Sequence, residues 1–114
     1  MRALAVAAVG LLAAACEPRW RVQGHVHDAD TGAVRGAGVA LRCPGQQDFA
    51  STTDREGAFQ LLGRGPAPSL ACSVVVASPA HAPVRVPLSA VCGDADGAHE
   101  GCLVASLDAE LRRR

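Results

Sequence analysis

With 114 residues and a formal net charge of zero, the chain has room for one domain at most and carries no electrostatic signature of nucleic-acid binding. Aromatic residues are only 3% of the total, namely Trp20, Phe49 and Phe59, with no Tyr. The core is therefore expected to consist of Val, Leu and Ala, whose side chains each bury little area; such a core is thin and gains from cross-links.

At the N-terminus, Met1-Arg2 places one positive charge ahead of an unbroken apolar run from Ala3 to Ala15, and small residues precede Cys16. That is the layout of a secretory signal peptide, and the run is too short to cross a bilayer comfortably. Its end, Leu12-Ala13-Ala14-Ala15-Cys16, resembles the lipobox of bacterial lipoproteins, in which the Cys becomes the first residue of the mature chain and carries acyl chains; Ala13 stands where that motif prefers Leu. Ala13-x-Ala15 also satisfies the ordinary secretory cleavage rule, which leaves a soluble secreted or periplasmic protein as the alternative. The cysteine count favours lipidation. There are five Cys, and assigning Cys16 to lipid leaves an even number for disulfides in an oxidising compartment. Two or three acyl chains anchor stably, at roughly 0.8 kcal/mol per buried methylene. The expected organisation is a signal peptide over 1–15, a tether over 16–21 and a domain over 22–111.

Residues 22–27 alternate, with Val22, Gly24 and Val26 on one face and Gln23, His25 and His27 on the other, the period of a half-buried strand. Asp28 to Gly32 reads as a turn, with Asp side chains accepting backbone N–H bonds and Gly supplying positive φ. A second strand from Ala37 to Cys43 places Ala37, Val39, Leu41 and Cys43 together, and Pro44-Gly45 ends it. Ser51–Thr53 and Ala58–Leu62 flank Asp54-Arg55-Glu56-Gly57, which predicts a hairpin. After the loop Gly63–Pro68, strands are expected at Leu70–Ala77, with Cys72, Val74 and Val76 inward, and at Val84–Leu88, where Pro87 implies an edge. A polar loop runs from Cys92 to Cys102, and the last strand points Leu103, Ala105, Leu107, Ala109 and Leu111 inward. Six or seven short strands punctuated by turns predict a sandwich. Cys43 and Cys72 occupy inner faces of separate strands and Cys92 and Cys102 close one loop, so these pairs are the expected disulfides among three possible connectivities.

The pattern Gly24-x-Val26-x-Asp28-x-x-Thr31-Gly32, then Gly36-Ala37-x-Val39-x-Leu41, then Ala50-Ser51-Thr52-Thr53-Asp54-x-x-Gly57-x-Phe59-x-Leu61, is similar to the carboxypeptidase regulatory-like domains. The resemblance is strong over residues 22–63 and weak over 70–88. It implies an all-β, seven-stranded Greek-key sandwich of the transthyretin type, and a non-catalytic accessory or adhesion-like module at the cell surface. The chain departs from that family in its four additional Cys and in Pro79-Ala80-His81, where a Gly-Tyr pair is common in the family.

His25 and His27 share a strand face, and imidazoles with Asp28 or His81 suit a divalent metal; the plainer account is two polar residues alternating outward. Asp94-x-Asp96-Gly97 with Glu100 faintly suggests a calcium loop, with too few ligands for an EF-hand. His25-Val26-His27-Asp28 also resembles a segment of the hydroxyisourate hydrolases, which implies a catalytic His25, but the chain has no Tyr and ends Glu110-Leu111-Arg112-Arg113-Arg114, without those enzymes' C-terminal motif. No Gly-x-Ser-x-Gly elbow, HExxH or P-loop is present. The Arg112–Arg114 tail is expected either to touch anionic lipid or to fray in solvent. The sequence thus points to a lipid-anchored, non-catalytic envelope protein without a cofactor. It would bind another envelope protein or a glycan and no nucleic acid. A metal-binding or hydrolase-like protein centred on His25 and His27 is the alternative.

Overall fold

The computed structural model describes residues 19–93 and 101–114. Strand β1 (Arg19–Asp28) is the axis of the fold, and its even-numbered residues Trp20, Val22, Val26 and Asp28 are buried while Arg19, Arg21 and His25 are exposed. The alternation begins three residues before the expected start at Val22. Arg19–Arg21, assigned to a tether on sequence grounds, are strand, because Trp20 falls in phase with Val22 and packs its indole where a side chain on Gly63 would otherwise lie. Trp20 and Phe59 both join the core, which is thus not built from Val, Leu and Ala alone.

At the end of β1 the chain turns back into the two-residue arm β2 (Gly32–Ala33). The Asp28 carboxylate accepts the N–H groups of Asp30 and Thr31 at 2.8 and 3.3 Å, and Gly32 takes φ +84°, the turn chemistry expected of these residues. Six longer strands follow: β3 (Gly38–Arg42), β4 (Phe49–Thr52), β5 (Ala58–Arg64), β6 (Ser73–Ser78), β7 (His81–Pro87) and, after the single helical turn α1 (Leu88–Val91), β8 (Val104–Leu111). In one sheet β1 lies between β5, antiparallel, and β8, parallel, with β2 paired to its far end. The other has the order β4-β3-β6-β7, all antiparallel. The two sheets form the expected Greek-key sandwich, with the first and last strands side by side. Pro83 and Pro87 sit on β7, which is an edge as Pro87 implies.

Three local expectations change. Asp54–Gly57 is not a hairpin within one sheet, because β4 pairs with β3 and β5 pairs with β1. The turn itself forms as its residues dictate, with the Asp54 carboxylate accepting the N–H groups of Glu56 and Ala58 and Gly57 at φ +77°. What sends the chain to the other sheet is Thr53, a buried residue whose hydroxyl accepts the N–H of Ala37 and donates to the carbonyl of Val34. The strand expected from Leu70 begins at Ser73, since Cys72 closes a turn back to the Ser69 carbonyl. Leu88 is buried as expected but opens α1 instead of ending a strand.

Disulfides join Cys43 to Cys72 and Cys92 to Cys102. The first extends the β3–β6 ladder one step past the Arg42–Ser73 pair. The second fastens the end of α1 to the chain entering β8. The Arg112–Arg114 tail is not frayed: the Arg112 carbonyl accepts the Ala82 N–H, the Arg114 N–H donates to the Ala80 carbonyl, and the Arg114 guanidinium donates to the His81 carbonyl at 3.0 Å.

Candidate functional site

The outward face of the β5–β1–β8 sheet collects the polar residues of three strands, because directly paired residues project to the same side. The registers arrange them in rows. Arg64 stands beside Arg19; Leu62 and Val104 flank Arg21; Gln60 and Ser106 flank Gln23; Ala58 and Asp108 flank His25; Glu110 stands beside His27. Read along β1, the face passes from cationic through apolar and neutral to acidic.

An open groove of about 640 Å³ lies over the middle rows, its lining including Gln23, Gly24, His25, Thr52, Asp54, Gln60, Ser106 and Asp108. Beneath it β8 approaches β1 closely because Gly24, in the inward phase of β1, carries no side chain: a Cβ there would lie 2.7 Å from the Leu107 carbonyl carbon and overlap its oxygen. Along the groove and beyond it, His25 Nδ1 lies 3.9 Å from Asp108 and His27 Nε2 lies 3.8 Å from Glu110. Both pairs are solvated and too long for hydrogen bonds, so they are loose partnerships. A second groove of about 480 Å³ lies over the first two rows, lined by Arg19, Arg21, Leu62, Arg64 and Val104.

A buried polar node lies on the other side of β1. Asp28, in phase with Val26, is 2% exposed at its side chain and accepts from His81 Nε2 at 2.7 Å and from the Arg113 guanidinium at 3.2 Å. The His81 bond, then the Asp30 N–H, outweigh desolvation, and with Arg113 they hold the Asp28 carboxyl well below the usual carboxylate range. An ionised carboxylate only accepts, so Nε2 is the donor, and the Nδ1 of His81 faces the Ser78 hydroxyl at 3.0 Å. The Ser78–His81–Asp28 chain has the connectivity of a nucleophile and base relay. Yet Asp28 is also committed to Arg113, and neither groove is lined by Ser78 or His81. Its evident work is to clamp the C-terminal segment onto β1 and β7.

His25 and His27 do share the outer face, but the proposed ligand set with Asp28 or His81 is split by the sheet. Asp28 belongs to the opposite phase of the same strand and His81 packs against it. Among the described residues no three His, Cys, Asp or Glu side chains are placed to hold a metal. Cys16, the expected lipidation site, and the Asp94–Glu100 segment lie outside the described residues. The cationic rows and the Asp28 node were not anticipated. Their signal was the alternation itself, which extends in phase to Trp20 at one end of β1 and Asp28 at the other.

No family model and no curated protein sequence matches the chain. Among solved structures it is similar to 3-chlorocatechol 1,2-dioxygenase from Rhodococcus opacus 1CP (TM-score 0.58, 11% identity, 85% of this chain and 61% of that one). It is likewise similar to hydroxyquinol 1,2-dioxygenase from Pseudomonas putida DLL-E4 (0.56, 13%, 85% and 57%). The major plantain pollen allergen Pla l 1 aligns over nearly its whole length (0.50, 15%, 84% and 94%). The chain spans only about three fifths of the two dioxygenases. At these identities the likeness is one of fold.

Proposed function

We propose that the chain is a non-catalytic, lipid-anchored module of the bacterial envelope that acts by binding, with the outer face around His25 as its contact surface. The observation that carries this reading is the groove over Gln23, Gly24 and His25 on an exposed polar sheet face. Shallow polar surfaces of this kind suit another protein or a glycan. Two disulfides favour an oxidising, extracytoplasmic address, and the apolar run ending at Cys16 supports export and acylation. The resemblance of residues 22–63 to carboxypeptidase regulatory-like domains is consistent with an accessory role.

Photo-crosslinking in the native cell tests it. A probe at position 25 is expected to yield a discrete envelope adduct that a probe at Arg85, exposed on the other sheet, does not. Absence of any adduct at 25 would overturn the reading. Mass spectrometry of the N-terminal peptide checks for acyl chains on Cys16.

A second reading, a metal-binding or hydroxyisourate-hydrolase-like protein using His25 and His27, draws on the carboxylates beside each imidazole. It requires that zinc or copper raise the melting temperature and that His25→Ala abolish the rise. No shift at millimolar metal removes it.

A further inference from the structure

The groove over the first two rows differs in chemistry from the one at His25. Arg19 and Arg64 form one row, and Leu62, Arg21 and Val104 form the next. Leu62 is 64% exposed and Val104 is 38% exposed, and the three Arg side chains are exposed as well. Among the described residues none of these Arg has a carboxylate partner, whereas Arg42 pairs with Asp48 and Arg113 with Asp28. Three guanidinium groups with no carboxylate partner among the described residues, set around a projecting Leu, form a combination that suits a layer of phosphates with hydrocarbon beneath it. Guanidinium binds phosphate oxygens in a bidentate fork, and its stem lies along apolar surface while the charged head stays at the interface.

We infer that these two rows form a docking surface for an anionic phospholipid membrane. The inference rests on the reading of Cys16 as the lipid anchor for its geometry, because Cys16 precedes Arg19 by three residues. An extended segment of that length reaches roughly 10 Å, so an acylated Cys16 holds Arg19 within that distance of the headgroups. The charge gradient then sets the tilt. Two rows along the strand from Arg21, about 14 Å away, stand His25 and Asp108, followed by His27 and Glu110. That separation exceeds the ~8 Å screening length at physiological salt, so the cationic rows bind while the acidic rows stand off the surface. The groove at His25 is left facing the envelope space. The Arg112–Arg114 tail cannot serve instead, since Arg113 pairs with Asp28 at the far end of β1, about 30 Å from Arg19.

The test uses the full chain as isolated from membranes, reconstituted into vesicles that carry a photoactivatable phosphatidylglycerol or a photoactivatable phosphatidylcholine. Adduct positions are mapped by mass spectrometry. Adducts on Leu62, Arg64 and Val104 are expected with phosphatidylglycerol, far exceeding those on the outer face of the β4-β3-β6-β7 sheet. Each Arg near an anionic surface raises occupancy about fivefold. The triple variant Arg19→Gln, Arg21→Gln, Arg64→Gln is therefore expected to lower the yield by at least an order of magnitude with phosphatidylglycerol, and by little with phosphatidylcholine. Molar salt on the unaltered chain, which needs no variant to fold, should do the same. Adducts spread evenly over both sheets, or a yield indifferent to lipid charge and salt, would overturn docking while leaving the anchor intact. Patch-specific adducts from a chain with no acyl group on Cys16 would support docking and overturn the anchor.

Discussion

Gly24→Ala is expected to loosen the sheet at its centre, although it adds a single methyl group at a half-buried position of β1. Gly24 has ordinary strand φ, so conformational freedom is not the issue; the issue is β8. An added Cβ would lie 2.7 Å from the Leu107 carbonyl carbon and overlap the carbonyl oxygen, both rigid backbone atoms. β8 must then withdraw by on the order of 1 Å, which breaks two or three ladder hydrogen bonds at about 1 kcal/mol each and loosens Ala105 and Leu107 beneath. A loss of about 3 kcal/mol follows, or roughly 15 °C in Tm for a domain of this size. Gly38→Ala is the control. It is also a strand glycine without positive φ, but its Cβ would meet only the Ala77 carbonyl at 3.8 Å, an ordinary contact. There the reduced entropy of the unfolded chain should leave stability unchanged or raised by about 0.5 kcal/mol. The unfolded-state effect is common to both variants, so their difference isolates the β1–β8 approach. Urea unfolding followed by the fluorescence of Trp20, the single tryptophan, measures it. Equal midpoints for the two variants would refute the reasoning.

Further outcomes follow from the cross-links and the buried node. Replacing Cys43 and Cys72 by Ala frees a loop of 29 residues, and replacing Cys92 and Cys102 frees one of 10. The chain-entropy relation assigns these about 3.6 and about 2.7 kcal/mol, and urea midpoints in the reverse order would contradict it. The Asp28 carboxyl titrates lower in the folded chain than in the unfolded one. Its contribution is therefore full above about pH 4 and fades as pH falls below that value. Asp28→Asn should lower Tm at neutral pH by an amount that shrinks in acid, and a difference constant from pH 7 to 2 would exclude the ionised pair as its cause. Ending the chain at Leu111 removes the backbone bonds to Ala80 and Ala82 and the Arg113 pair. With the bond from the Arg114 guanidinium to the His81 carbonyl these make four lost interactions, which correspond to roughly 20 °C in Tm, whereas a frayed tail would leave the melting curve unchanged.

What could be read from the residues was the part of the fold set by neighbours along the chain. Alternation of Val22, Gly24 and Val26 against Gln23, His25 and His27 defines an inward and an outward face whatever the partner strands are, because a pleated strand has a period of two. The Asp28–Gly32 and Asp54–Gly57 turns follow from carboxylates that accept local N–H groups and from glycines free to take positive φ. Pro87 declares an edge by lacking a donor. Which strand lies beside which is a different matter, decided by contacts between residues far apart in sequence. Asp54–Gly57 looks the same locally whether it closes a hairpin or crosses between sheets, and only the burial of Thr53 against Val34 and Ala37 selects the crossing. The parallel alignment of β8 with β1 leaves no local mark except Gly24, whose missing side chain admits the Leu107 backbone. The same alignment turns scattered residues into a site: Arg21 meets Leu62 and Val104, His25 meets Asp108, and Asp28, a turn residue by local grammar, becomes the buried partner of His81 and Arg113. Side-chain phase is local and survives in the sequence, while register and pairing are long-range and exist only once the chain has packed.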